Sequence, residues 1–202
     1  MNFDLRKYII AASLTVLIWI MALTSFGNIP LFGIDVTLLC IPIILGTCAL
    51  GLSYGLFLAL MFALTSLFMA LMGRPISLLA PLLEFPLEMY LTIFIPRILI
   101  PIVTWLAFKA TAKWKAMFSY GLSAIVGSFA NTLFFLGCAY ILGAKALTEA
   151  YQMSNDDILA AMCDIVLSNG LLEAFVTLLV CVPALLILNN TLCRRTEHKG
   201  IV

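Results

Sequence analysis

The sequence predicts an all-α membrane protein, a bundle of six transmembrane helices in a single integral domain, and three observations support this prediction. Of the 202 residues, 64% are hydrophobic and only 10% are charged, whereas charged residues make up about a quarter of an ordinary soluble domain. Apolar runs long enough to cross a bilayer recur along the whole chain. Basic residues gather in alternate connections between these runs, as expected of a multi-pass protein.

The predicted spans cover residues 8–24, 36–50, 56–72, 87–108, 117–142 and 158–188, each bound being approximate. The segment MNFDLRK precedes the first span without a convincing cleavage site, so we expect an uncleaved first helix. A turn-rich loop, SFGNIPLFGID, separates the first two spans, and the short hinge GLSYG joins the second to the third.

Three connections complete the predicted bundle. The one before the fourth span, GRPISLLAPLLEFPLE, contains Pro75, Pro81 and Pro86 and should be irregular or broken. A basic connection, KATAKWK, leads to the fifth span, and a polar one, GAKALTEAYQMSNDD, ends in an N-terminal cap for the sixth helix. The turn-rich first loop and the proline-rich connection are both candidate lids, the second more so because long connections tend to be functional.

Charge counting predicts the orientation. With six spans, one side of the membrane holds eight basic residues, and the opposite side holds only Arg74 and Lys145. The eight are Arg6, Lys7, Lys109, Lys113, Lys115, Arg194, Arg195 and Lys199. By the positive-inside rule, this imbalance predicts that both termini lie in the cytoplasm.

Four polar residues within the spans predict a binding pocket. Arg97 lies near the middle of the fourth span, where a cation costs roughly 3 kcal/mol and usually faces a partner, a cavity or a substrate. Asn131 lies in the fifth span, and Asn169 and Glu173 lie four residues apart on one face of the sixth. We expect the four to line a pocket open to the outside. The alternative is that Arg97 pairs with Glu173 and the asparagines hold the helices together.

Other classes of function find little support. The sequence has no P-loop and no Lys/Arg-rich block that would bind nucleic acid. Its six cysteines form no CxxC pair, so we expect no cofactor and no metal site. Asp164 and Glu173 are nine residues apart on one helix and point in opposite directions, so they cannot form one catalytic site. A stand-alone transporter or channel using Glu173 stays an alternative, although the short chain shows no repeat symmetry.

Several runs resemble the substrate-binding S components of energy-coupling factor (ECF) vitamin transporters. These runs are IPLFGIDVTLLCIPIILGTCALGLSYGLFLALMFALTSL, FPLEMYLTIFIPRILIP, GSFANTLFFLGCAYI and SNGLLEAF, and the likeness extends from about residue 10 to residue 188. It implies a six-helix bundle in the bacterial plasma membrane that captures a vitamin or precursor from outside. It also implies a complex with a transmembrane coupling protein and two cytoplasmic ATPases, in which the S component topples to release its cargo.

The resemblance also implies roles for single residues. In this family an Ala-x-x-x-Ala pattern on the first helix forms the coupling surface; here Ala11 begins it, Ala12 follows, and Thr15 replaces the second alanine. The hinge GLSYG lacks the proline and the basic residue that are commoner in the family. Arg97 would bind a carboxylate of the substrate, and Asn28 in the first outer loop is a further candidate substrate-binding residue.

Three of these motifs resemble the pantothenate-type members in particular. They are the proline–arginine pair of the fourth helix, the Asn-Thr pair of the fifth and the Asn-x-x-x-Glu of the sixth. Folate, riboflavin and pyrimidine-precursor binders belong to the same broad family and stay alternatives. A flat aromatic ligand is less favoured, because the three tryptophans are more easily explained as packing or interfacial residues than as a stacking surface.

Overall fold

The computed structural model of the protein describes residues 3–24, 27–31, 34–73 and 77–193. Its helices are α1 Phe3–Leu23, α2 Cys40–Leu50, α3 Leu52–Leu71, α4 Pro86–Ala110, α5 Ala116–Tyr151 and α6 Asn155–Cys193. Two short strands, β1 Asn28–Leu31 and β2 Ile34–Thr37, form an antiparallel hairpin between α1 and α2. A short 3-10 helix, Ser77–Glu84, precedes α4.

Five of these helices are long and apolar enough to cross a membrane, and α2 is the exception. Its 11 residues rise only about 16 Å, roughly half of a bilayer's hydrocarbon thickness. The prediction of a helical span over 36–50 was wrong at its start, because residues 34–37 pair with β1 instead, Thr37 lying opposite Asn28. The count of six spans and the cytoplasmic position of both termini stay predictions.

The predicted connection between the last two spans is mostly helix. α5 continues through it to Tyr151 because the segment GAKALTEAY is rich in strong helix formers. It ends where Gln152 adopts a left-handed conformation, with φ 52°. The predicted cap at the start of α6 is confirmed: the Ser154 hydroxyl accepts a hydrogen bond from the Asp157 amide at 3.2 Å and donates one to its carboxylate at 2.6 Å.

Helix α4 runs unbroken through Pro96 and Pro101. Because proline has no amide proton, the carbonyls four residues earlier, those of Thr92 and Arg97, lose their usual donor within the helix. The predicted break lies earlier in the chain, where residues 77–84 form the 3-10 helix around Pro81. Within α4, the stretch around Arg97 is the one that lacks two of its backbone hydrogen bonds, because it contains both prolines.

Helix α5 packs between α4 and α6 and presents a different face to each. Toward α4, Gly127 permits a close approach, since a Cβ there would collide with the Thr104 hydroxyl and lie 3.0 Å from Ile44. Toward α6, Ser128 hydrogen-bonds Thr177 at 3.3 Å. The short helix α2 is enclosed by the bundle, with every residue from Cys40 to Thr47 buried. Polar side chains on both faces of α5 are consequently held inside the protein.

Candidate functional site

The four polar residues predicted to line a pocket are all buried. Their exposed fractions are 2% for Arg97, 6% for Asn131, 8% for Asn169 and 1% for Glu173. Arg97 in particular is the largest of the fully buried side chains. None of the four faces the lipid side of its helix, so each must be balanced by neighbours within the bundle or by a ligand.

Glu173 joins three elements through its carboxylate. Oε1 accepts a hydrogen bond from the backbone amide of Thr37 at 2.6 Å, and Oε2 accepts one from the Thr132 hydroxyl at 2.6 Å. Asn169, one turn earlier on α6, donates its amide to Oε1 at 3.3 Å. Since Thr37 ends β2 and Thr132 lies on α5, this one side chain ties the hairpin, α5 and α6 together.

The Asn169–Glu173 pair extends into a longer polar stripe on α6. Thr177, four residues further on, is fully buried, donates to Ser128 on α5, and lies 3.9 Å from the sulfur of Cys40 on α2. Continuing the four-residue spacing would have predicted Thr177. The Asn-Thr motif already contained Thr132, whereas Thr37 acts through its backbone and leaves no signal in the side-chain pattern.

Arg97 lies between two aromatic rings. Its guanidinium carbon is 4.9 Å from the ring centre of Phe62 on α3 and 4.6 Å from that of Phe135 on α5, distances at which a cation is attracted to a ring face. Nε and Nη1 have no hydrogen-bond partner in the described part of the chain. Glu173 bonds Thr37, Thr132 and Asn169 instead, so among those same residues the alternative ion pair between Arg97 and Glu173 is not formed.

Asn131 lies at the same interface as Arg97. It is four residues from both Gly127 and Phe135, so the three share one face of α5, and this face packs on α4 through Gly127–Thr104 and Phe135–Arg97. Oδ1 of Asn131 has no hydrogen-bond partner within the described ranges. The next residue, Thr132, points about 100° away, toward Glu173 on α6.

Unsatisfied polar atoms are therefore concentrated on α4 and the facing side of α5. The hydroxyls of Thr92 and Thr104 on α4 are also buried and lack partners among the residues described. Buried polar groups are usually hydrogen-bonded, and leaving one unsatisfied costs about 1–3 kcal/mol. An arginine fork, two hydroxyls and an amide oxygen thus offer both donors and acceptors to a polar ligand at this interface.

The remaining predicted residues lie elsewhere. Asn28 belongs to β1, and its side chain lies outside what the structure describes. On α1, Ala11 is buried against the bundle, Ala12 is exposed, and the hydroxyl of Thr15 bonds the carbonyl of Ala11 at 2.9 Å. The assignment of these three to a coupling surface stays a prediction. Asp164 is exposed on α6.

A separate cavity of about 550 Å³ lies between the start of α5 and the second half of α6. It is lined by apolar residues apart from Lys115, and includes Leu178 and Pro183. No residue of the predicted site contributes to it. Within the described ranges, no cluster of histidine, cysteine or acidic side chains could hold a metal ion.

Comparison with known families gives one match. Residues 6–185 match the family described as ECF transporter, substrate-specific component. No curated protein matches the sequence. The family match covers all six helices except the first residues of α1 and the last residues of α6, so it concerns the bundle as a whole.

Proposed function

This chain belongs to the substrate-specific components of ECF transporters, and on that premise we propose that it captures a small carboxylate-bearing vitamin with high affinity, pantothenate being the best candidate. Family membership makes it a transport subunit of the plasma membrane rather than an enzyme, and implies association with an ECF coupling and ATPase module. The identity of the ligand and the residues that bind it are the proposed part.

Arg97 is the observation that carries this proposal. A buried guanidinium with two unsatisfied donor groups is unfavourable unless an anion pairs with it. A carboxylate can accept two parallel hydrogen bonds from the guanidinium fork, which is the strong, charge-assisted geometry. The rings of Phe62 and Phe135 hold the guanidinium in place from α3 and α5, so it is oriented before a ligand arrives.

The other unsatisfied groups suit a flexible polar ligand. The hydroxyl of Thr92 and the amide of Asn131 can pair with hydroxyl and amide groups, both of which pantothenate carries beside its carboxylate. Folate, riboflavin and a pyrimidine precursor have less support, because they are flat and would need free aromatic faces. The three tryptophans are engaged elsewhere: Trp19 with Phe68, Trp105 with Lys109 and Trp114 with Phe118.

We further propose that release follows the family pattern, with the chain toppling against a coupling protein that two ATPases drive. The exposed small side chain of Ala12 on α1, beside Ala11, would let a partner helix approach closely. The alternative of ion-driven transport through Glu173 has less support, because both of its carboxylate oxygens accept bonds from the chain itself.

Thermal unfolding of the detergent-purified protein in the presence of vitamins tests the proposal. A ligand at a hundred times its dissociation constant adds about 2.7 kcal/mol to the stability of the folded state, so pantothenate should raise the midpoint clearly. Arg97→Met should abolish this rise while leaving the ligand-free protein folded, since it removes a buried charge. Lys109→Met, at an exposed lysine on the same helix, is the control and should respond as the wild type does.

An equal rise in the wild type and in Arg97→Met, for whichever vitamin binds, would refute the role of Arg97. No rise with any carboxylate-bearing vitamin would refute the proposed class of substrate.

A further inference from the structure

The base of the β1–β2 hairpin is bonded to a buried acid of α6. We propose that Glu173 is a positioning residue that pins this hairpin to the helix bundle and thereby slows the escape of bound substrate. This inference rests on the proposed function only in its second half, since the anchoring of the hairpin can be measured without any ligand.

The geometry of the carboxylate favours this role. The carboxylate accepts hydrogen bonds from the Thr37 amide and from the Thr132 hydroxyl, both at 2.6 Å, and hydrogen bonds to a carboxylate are shorter and stronger than those between neutral groups. Asn169 adds a third donor at 3.3 Å. With the side chain only 1% exposed, the charge is satisfied by three neutral donors of the protein itself.

The hairpin depends on such an anchor. Its two strands have four residues each, and an isolated two-stranded hairpin is marginally stable at best. At its base, the two chain ends are joined by a hydrogen bond from the Leu38 amide to the Gly27 carbonyl at 3.0 Å. Leu38 directly follows Thr37. The bond between the Thr37 amide and the buried carboxylate of Glu173 therefore holds the hairpin at the point where it joins the helix bundle.

The anchor lies next to the proposed binding interface. Thr132 shares the carboxylate with Thr37, and its chain neighbour Asn131 faces the interface that holds Arg97. A substrate carboxylate at Arg97 would also be repelled by a second carboxylate in direct contact with it. Both points favour Glu173 as a residue that anchors the hairpin beside the binding interface rather than one that touches the substrate.

Hydrogen exchange of the ligand-free protein measures the first half of the inference. Glu173→Ala should speed amide exchange in residues 34–38 by roughly tenfold or more, the size expected for losing a hydrogen bond to a charged group. Glu173→Gln should fall between this variant and the wild type, because its amide oxygen can still accept from Thr37. Thr177→Val, one turn further along the same stripe, should exchange as the wild type does, since its hydroxyl bonds Ser128 on α5.

Binding kinetics with pantothenate measure the second half. Glu173→Ala should raise the dissociation rate constant by a similar factor and leave the association rate constant within about twofold, since most affinity changes in one complex lie in dissociation. Thr177→Val should alter neither rate. Should Glu173→Ala fail to yield folded protein, the same comparison is made with Glu173→Gln, for which a smaller change of the same sign is expected.

Unchanged exchange in residues 34–38 of the Glu173 variants would overturn the proposal that Glu173 anchors the hairpin. Faster exchange with an unchanged dissociation rate would overturn the link to substrate escape. If the wild type bound none of the vitamins, the proposed function would fail, while the exchange result would still decide whether Glu173 anchors the hairpin.

Discussion

At the scale of single residues, the described part of the chain buries one arginine, Arg97, and one glutamate, Glu173, and pairs their polar atoms differently. Glu173 receives three neutral donors from its own chain. The guanidinium of Arg97 lies against two aromatic rings, while its Nε and Nη1 have no hydrogen-bond partner within the described residues. Aromatic rings stabilise the charge by about 1–2 kcal/mol but accept none of its in-plane hydrogen bonds, so the guanidinium can still bind an anion.

Phe135→Leu is predicted to weaken substrate binding several-fold. The ring of Phe135 lies closest to the Arg97 guanidinium, and losing a cation–π contact of about 1 kcal/mol lets the fork rotate away from its binding orientation. Titration calorimetry with pantothenate measures the effect. Phe134→Leu is the matched control on the neighbouring position of the same helix, and equal losses in both variants would contradict the assigned contact.

Asn131→Ala is predicted to weaken binding without destabilising the ligand-free protein. The Oδ1 atom of Asn131 has no hydrogen-bond partner among the described residues, and removing an unsatisfied buried group costs little or stabilises. Thermal unfolding without ligand, followed by titration with pantothenate, separates the two quantities. A drop in stability at unchanged affinity would show instead that Asn131 only holds helices together.

At the scale of the elements, the long apolar helices and their order could be predicted from the sequence because their length and apolarity alone specify them. The β1–β2 hairpin could not, because Val36 and Thr37 of β2 lead directly into the apolar run of α2, and the strand with which they pair is a separate segment. The last turns of α5 were predicted to be a connection because their residues are polar, but many of those residues are also good helix formers. Arg97, Asn131, Asn169 and Glu173 stood out as polar residues in apolar spans.

The partners of those residues were harder to predict. A backbone donor such as Thr37 carries no sequence signal, and the contact between Arg97 and Phe62 joins α4 to α3 across the bundle. Only the side chains that follow a helical spacing, such as Thr177 after Glu173, could have been found from the sequence.

Gly127→Ala is predicted to destabilise the bundle by about 1–3 kcal/mol, the usual cost of overpacking. A methyl group there would collide with the hydroxyl of Thr104 and press on Ile44, forcing α4 and α5 apart. Gly137→Ala on the same helix is the control: nothing lies within 4 Å of the added carbon, so it should be neutral or stabilising by up to about 1 kcal/mol. Thermal unfolding in detergent compares them, and an equal loss in both would contradict this packing.

At the scale of the whole molecule, the chain is a binding subunit whose energy must come from elsewhere. It carries no P-loop, and its family implies association with an ECF coupling and ATPase module. The purified chain in liposomes should bind pantothenate yet accumulate none, with or without an ion gradient. Accumulation driven by ATP should appear only when the module is included, and uptake by the chain alone under an ion gradient would favour the ion-driven alternative.

The most direct measurement of the central claim combines two changes, one in the protein and one in the ligand. Dissociation constants are measured for wild type and Arg97→Met, each with pantothenate and with pantothenol, in which a primary alcohol replaces the carboxylate. The wild type should prefer pantothenate by roughly 30-fold or more, as expected for a charge-assisted hydrogen bond of about 2–3 kcal/mol. Arg97→Met should bind both ligands about equally. The same preference for the carboxylate in both proteins would contradict the claim that Arg97 binds it.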